Sequence, residues 1–176
     1  MERLYSKIVG MPVYVPENVR PVTQVQDVLV DPENGKVLAL FVSGRGGKII
    51  TPRDIVAVKH GVFLRDADDI LDIDEVLRVE SVVSKFQPLG VMKVFTEGGK
   101  SLGKVCDFVI DDKVFVLKKI YSGKSVLGMV QYDSRIISYK DIVEIQADRV
   151  IVKDDLETVK ARVAEEKKAG ADVAMA

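Results

Sequence analysis

Residues 10–31 read GMPVYVPENVRPVTQVQDVLVD, and residues 90–111 read GVMKVFTEGGKSLGKVCDFVID. Laid together without a gap, at an offset of 80, they place Val25 on Val105, Asp27 on Asp107, Val28 on Phe108, Val30 on Ile110 and Asp31 on Asp111, with a glycine opening each stretch. Two later blocks keep the order. Ser43-Gly44-Arg45 answers Ser122-Gly123-Lys124, and the run from Ile50 to Val56 answers the run from Ile137 to Val143, both ending in Asp-Ile-Val. Matches of single apolar residues would be cheap, but three ordered blocks point to a duplicated unit, and a repeat divides a chain better than composition does. The division expected is residues 1–80 for the first unit, 81–153 for the second, and 154–176 for a C-terminal helix and frayed tail.

Within each unit the pattern is that of β-structure: short runs of Val, Ile, Leu and Phe separated by glycine and charge, with little helical spacing. In the first unit the strands expected are Pro12 to Val15, Val25 to Val30, Val37 to Val42, Lys48 to Ile50, Val56 to Lys59 and Val62 to Leu64. Asp31-Pro32-Glu33-Asn34-Gly35 supplies a proline that presets φ and an Asn-Gly pair that accepts positive φ, which predicts a hairpin turn. The matching turn in the second unit reads as a shorter one, Asp111-Asp112-Lys113, while Ser122 to Ser138 is eight residues longer than Ser43 to Thr51. Many short strands in units of this size predict two small tandem β-barrels, in which closure removes aggregation-prone sheet edges. Open sandwiches satisfy the same pattern. Between the units, residues 66–77 mix acids with spaced aliphatics and are expected to pack as a short helix or strand.

At 176 residues the chain has room for one ordinary domain or two small ones, and 47% hydrophobic with 30% charged residues is the composition of a globular protein with a real core. Its 26 basic and 27 acidic side chains nearly cancel, so no overall field would hold it on nucleic acid or an anionic membrane. Cys106 is the single cysteine, which excludes an internal disulfide and a thiolate zinc cluster and fits a reducing compartment. The first ten residues carry Glu2, Arg3 and Lys7 in place of a signal-peptide apolar run, and no stretch reaches the length of a membrane span. A cytoplasmic location without membrane insertion is the expectation.

Gly-x-x-Val-Tyr near the start, Val-x-Asp-Val-x-Val-Asp in the second strand and a late Pro-x-Asp-Ile-Val step resemble a PRC-barrel, and the resemblance spans nearly both repeats. That family includes the cytoplasmic domain of the photosynthetic reaction-centre H subunit, the C-terminal domain of a ribosome maturation factor, and many stand-alone prokaryotic proteins, some linked to archaeal cell division. The resemblance implies a compact barrel used for protein contacts. Its motifs are structural and speak to fold rather than to function. The chain has neither the transmembrane segment of the reaction-centre subunit nor room for the separate N-terminal domain of the maturation factor, so neither role carries over.

A search for chemistry in the residues returns little. Gly98-Gly99-Lys100-Ser101 resembles the end of a phosphate-binding loop, but Val94 stands where the pattern needs glycine and strand residues follow where it needs a helix. It reads as a turn between strands. The glycine loop around Arg45 and Lys48, with its counterpart at Lys124, reads first as a solvated hairpin tip and second as a contact for a small anion or RNA. The acids from Asp66 to Glu75 lack the spacing and glycine of a calcium loop and are expected to form a solvated face. His60, the single histidine, is expected at a strand end on the surface, where no His-based metal site or catalytic triad assembles. Cys106, beside Val105 and Phe108, is expected as a buried, inert thiol. Asp27 and Asp107 are expected to bond backbone groups.

From Asp154 onward Leu156, Val159 and Val163 share one helical face, acids open the segment, lysines close it and Gly170 suits the stop. Such a helix packs on its own barrel or binds a partner or a second copy. The expectation is a non-catalytic protein-binding adaptor or scaffold that needs no cofactor or metal, with Arg45, Lys48, Lys124, Leu156, Val159 and Val163 as partner-binding candidates. The alternative is a factor linked to RNA or ribosome assembly, and an enzyme or small-ligand carrier comes third.

Overall fold

The computed structural model describes residues 1–43, 47–123, 125–126, 129–130 and 135–156. The fold is mainly β. The first half holds β2 (Pro12–Tyr14), β3 (Thr23–Val30), β4 (Val37–Val42), β5 (Lys48–Ile50), β6 (Ile55–Val58) and β7 (Val62–Leu64), and the second holds β9 (Lys93–Thr96), β10 (Ser101–Asp111), β11 (Val116–Gly123), β14 (Arg135–Ser138), β15 (Ile142–Ile145) and β16 (Arg149–Val152). Strand order across the first sheet is β6-β7-β2-β3-β4-β5, and across the second β15-β16-β9-β10-β11-β14, so the halves share one topology. In each, the first and last strands pair parallel and every other pair is antiparallel. The short pair β12 (Ser125–Val126) and β13 (Met129–Val130) stands apart.

Irregularities recur with the topology. β3 carries register shifts between Val25 and Asp27 and between Leu29 and Val30, and β10 carries them between Val105 and Asp107 and between Val109 and Ile110. A bulge twists and bends its strand, and two bulges at matched places curl the two sheets alike. Alternation then sends Val28, Val30, Leu40 and Ile50 to the concave face of one sheet and Phe108, Ile110, Ile120 and Ile137 to that of the other. These faces share one buried cluster that runs through both halves.

Hydrogen bonds correct three details of the alignment. Val25 N–H donates to the Met11 carbonyl and Val105 N–H to that of Met92, so the equivalent of Met11 is Met92, at offset 81, and Gly10 is not the counterpart of Gly90. One extra residue between β2 and β3 absorbs the slip. The turns after Asp31 and Asp111 are equally long, because Gly35 N–H returns to the Asp31 carbonyl at 2.9 Å and Phe115 N–H to that of Asp111 at 2.8 Å. Gly35 (φ 69°) and Phe115 (φ 52°) hold the same left-handed position, which only glycine adopts without strain. Val42 answers Ser122 while Ile50 answers Ile137, offsets of 80 and 87, so the later hairpin is seven residues longer rather than eight.

Several contacts among the described residues join the halves. β1 (Glu2–Leu4) pairs antiparallel with Asp111–Val109 at the edge of β10 that β9 leaves open. The two turns bond each other reciprocally, Val37 N–H to the Phe115 carbonyl and Leu117 N–H to the Gly35 carbonyl, both at 2.8 Å. The turn of helix α1 (Tyr5–Ile8) lies between β3 and β10, its Tyr5 ring stacked on Phe108 with centroids 4.5 Å apart. No helix among the described residues is long and apolar enough to cross a membrane.

Candidate interaction surface

The convex faces of the two sheets differ. On the first, Leu29, Ala39, Phe41 and Ile49 form a second apolar cluster with residues of the linker that follows β7. That linker starts with a 3-10 turn at Ala67–Asp69, adds β8 (Leu71–Asp72) to the free edge of β5, makes a second 3-10 turn at Ile73–Glu75 and ends in helix α2 (Leu77–Val83). Val79 and Val82 are buried against the sheet. The sequence selects these short turns through its acids. Asp69 accepts the Asp66 N–H at 3.1 Å, Asp66 accepts that of Asp68 at 2.9 Å, and Glu75 accepts that of Asp72 at 2.6 Å. Acids of the expected solvated face thus also cap these turns, visible in the spacings Asp66-x-x-Asp69 and Asp72-x-x-Glu75.

Register places Lys118, Lys119, Tyr121 and Ile136 of the second sheet where the first has Leu38, Ala39, Phe41 and Ile49. Among the described residues no linker covers this face. A groove of about 430 Å³ runs along it, lined by Lys118, Lys119 and Lys140, by the acids Glu2 and Asp141, and by Ile136, Ser138 and Leu156. Lys119 donates to Glu2 at 2.7 Å, and Asp141 faces Lys153 at 3.4 Å. Lys118 and Lys140 are exposed and, among the described residues, pair with no acid. The groove is apolar at Ile136, and its rim is of mixed charge, three lysines against two acids. Sequence reading missed it, although the signal was present: aligned on the repeat, Lys118-Lys119 replaces the apolar Leu38-Ala39.

Of the partner-binding residues expected from sequence, Lys48 and Leu156 fall among the described residues. Lys48 holds Asp72 of the linker at 2.8 Å, which makes it a clamp for β8 and not a free basic tip. Leu156 is half-buried and lines the groove of the second sheet. Arg45, Lys124, Val159 and Val163 lie outside the described residues, and with them most of the expected C-terminal helix.

Asp27 and Asp107 do bond backbone, each taking the N–H of the next residue, Val28 at 2.7 Å and Phe108 at 2.8 Å, within the first bulge of its strand. Helix α1 lies between them. Ser6 gives its N–H and hydroxyl to Asp107 at 3.1 and 2.6 Å. The Tyr5 hydroxyl is pushed up to about 12 by burial first and then by the negative charge of Asp27. These carboxylates are structural anchors. Cys106, expected buried, is exposed, because the bulge between Val105 and Asp107 turns it off the core face. His60 sits in the exposed turn between β6 and β7, edge-on to Tyr14 and Phe63. At the glycine turn after β9, Gly99 takes φ 83° and the Gly98 N–H is held by Asp154 at 2.9 Å, so a carboxylate occupies the donor that a phosphate would need. Among the described residues no three His, Cys, Asp or Glu side chains are placed to hold a metal ion.

Comparison with known proteins identifies a PRC-barrel domain at residues 1–75, the stretch from β1 to the second 3-10 turn. No curated protein matches the chain.

Proposed function

We propose that this chain is a cytoplasmic, non-catalytic adaptor built from two PRC-barrel units in tandem, the second being residues 81–153, with residues 154–176 as a C-terminal helix and tail. One observation carries the reading: two halves of identical strand order differ at their convex faces, one sealed by the chain's own linker and the other grooved and lined by charged side chains. A duplicated module that keeps its core and diverges on one outer face is what a binding scaffold requires, since the shared core supplies stability and the altered face supplies recognition. The described polar side chains that pair do so in capping, bulges and ion pairs, which are structural duties.

Affinity capture of the tagged chain from its native lysate, with and without nuclease and read by mass spectrometry, tests this. A defined set of proteins that survives nuclease supports the adaptor. Ribosomal or RNA-processing proteins that vanish with nuclease would replace it with the RNA-linked reading. Capture of nothing, together with a monomeric mass in solution, would remove both.

A further inference from the structure

The linker's seal on the first sheet leaves a gap beside the end of α2. A pocket of about 190 Å³ lies there, walled by Val28, Leu29, Phe41, Val83, Phe86 and Pro88, with Asp27 as the one charged residue in its lining. Val83 and Pro88 are exposed, so the pocket is reached from solvent. The sister sheet closes the corresponding place. At the offset of 81 that aligns Met11 with Met92, Gln87 answers Ser6, and Ser6 gives Asp107 its N–H at 3.1 Å and its hydroxyl at 2.6 Å. Gln87 instead turns its N–H to the Ala147 carbonyl at 2.8 Å. Asp27 keeps the Val28 N–H at 2.7 Å and interacts with the Tyr5 hydroxyl, and a carboxylate accepts about four hydrogen bonds. The donors that close Asp107 therefore have no counterpart at Asp27 in the aligned segment, and a pocket stands beside it.

From this we infer that the pocket beside Asp27 docks one basic side chain, a lysine or an arginine, of a protein partner. The lining is apolar and aromatic apart from a single negative group, and that combination selects a cation on an apolar stem. The stem packs on surface such as Leu29 and Val83 while the head reaches the carboxylate, and rings such as those of Phe41 and Phe86 attract a cation further. An acidic side chain would meet Asp27 as a like charge. A purely apolar one would bury the carboxylate without a new donor, which costs free energy. The volume suits one side chain, whereas sites for drug-sized ligands start at about 300 Å³. The proposal names the chemistry of the partner in the adaptor reading and rests on that reading.

The test is a titration of the ¹⁵N-labelled full chain, followed by amide chemical shifts, with n-butylammonium and n-butylguanidinium as stand-ins for the two side chains and with 1-butanol and butyrate as neutral and anionic controls. Capped peptides Gly-Gly-Lys-Gly-Gly and Gly-Gly-Arg-Gly-Gly present the same groups as a partner would. Saturable shifts at residues 27–29, 41, 83 and 86 are expected from the cations and the peptides, at roughly millimolar concentration, and not from butyrate. Affinity should fall about tenfold in Asp27→Asn, which keeps an acceptor for the Val28 N–H, and in Val83→Lys, which puts a like charge on an exposed position of the lining; melting curves check that both variants fold. Equal shifts from 1-butanol or butyrate, or cation binding that neither variant weakens, would overturn the proposal. Binding of the free cations without binding of the peptides would overturn it in favour of a small amine ligand. Such failures are separable from that of the adaptor reading, because lysate capture that is unchanged in Val83→Lys would leave an adaptor that binds elsewhere.

Discussion

The ring of Tyr139 lies over Gly35 so closely that a β-carbon at Gly35 would stand 2.5 Å from Tyr139 Cζ. The contact joins the first hairpin turn to the 3-10 turn after β14 and so bridges the halves at the point where Gly35 and Phe115 trade neighbouring hydrogen bonds.

Gly35→Ala meets two obstacles, positive φ and the tyrosine ring. The expected cost is about 2–4 kcal/mol, from the strained backbone together with overpacking, and a drop in Tm of roughly 5–15 °C for a chain of this size. Thermal unfolding followed by circular dichroism reads it. Adding Tyr139→Ala to Gly35→Ala should cost less than the sum of the two single effects, since the clash is then gone while the φ strain and the lost ring packing remain, and a double variant that loses the full sum would show that the ring contact does not matter.

Arg78 holds Asp31 through Nε at 3.1 Å and a terminal nitrogen at 2.7 Å, and the same terminal nitrogen reaches Glu33 at 3.0 Å. Asp31 is 3% exposed. Burial alone would push its carboxyl up, but the bonds from Arg78, the Glu33 N–H and Asn34 outweigh it and hold the group below the usual carboxylate range. Its pKa is therefore lower folded than unfolded, so the stability it contributes is fully present above the unfolded carboxylate value of about 3.9 and fades as pH falls through the folded one. Arg78→Ala should lower the urea midpoint clearly at pH 7 and less at low pH, because the contribution shrinks as pH falls from about 3.9 through the lower folded value. An equal loss at both pH values would mean that Arg78 acts by packing and not by charge.

The strands were legible because burial on one face imposes alternation. Val37–Val42 and Lys48–Ile50 lie where the pattern put them, and the expected strand from Val25 begins two residues earlier, at Thr23. Repeat register was less legible. An ungapped match hides a one-residue loop change, and only hydrogen bonds such as that from Val105 N–H to the Met92 carbonyl reveal it. The equal length of the two turns was obscured because Phe115 takes the left-handed conformation that a reader assigns to glycine. The candidate surface was harder still. Lys118 and Lys119 look like an ordinary solvated pair until their alignment on Leu38 and Ala39 is combined with the path of the linker, and that path depends on tertiary contacts of Val79 and Val82.

Cys106 is solvent-exposed, its Sγ donating weakly to the Lys104 carbonyl at 3.5 Å. Partial burial, ahead of any other cause, pushes its thiol up; Asp107 adds to this, while the Gly123 N–H works against it. The expected behaviour is that of an accessible but sluggish thiol, since the thiolate is the reacting species. Iodoacetamide should modify the folded chain completely without denaturant, more slowly at neutral pH than a free cysteine does, and with a rate midpoint above about 8.5, the ordinary thiol value. Mass spectrometry over a pH series measures this. Protection of the thiol until the chain unfolds would contradict the exposed bulge.

Ser122 sits in the core with 0% exposure, and among the described residues its hydroxyl finds no hydrogen-bond partner. A buried hydroxyl without a partner costs about 1–3 kcal/mol in lost hydration. The other half of the molecule supplies the remedy, because the equivalent residue opposite Val25 is Val42, buried in the same curled-sheet environment. Ser122→Val removes the unpaired hydroxyl and places methyl groups where the sister sheet already accommodates them, so a gain of about 1 kcal/mol is expected. That corresponds to a rise in Tm of roughly 2–4 °C. Ser122→Ala, which removes the hydroxyl without filling the space, should be close to neutral. A fall in Tm for both variants would show that the hydroxyl is bonded in solution, through a buried water or a residue outside the described part of the chain, and that the two halves differ at this position for a structural reason.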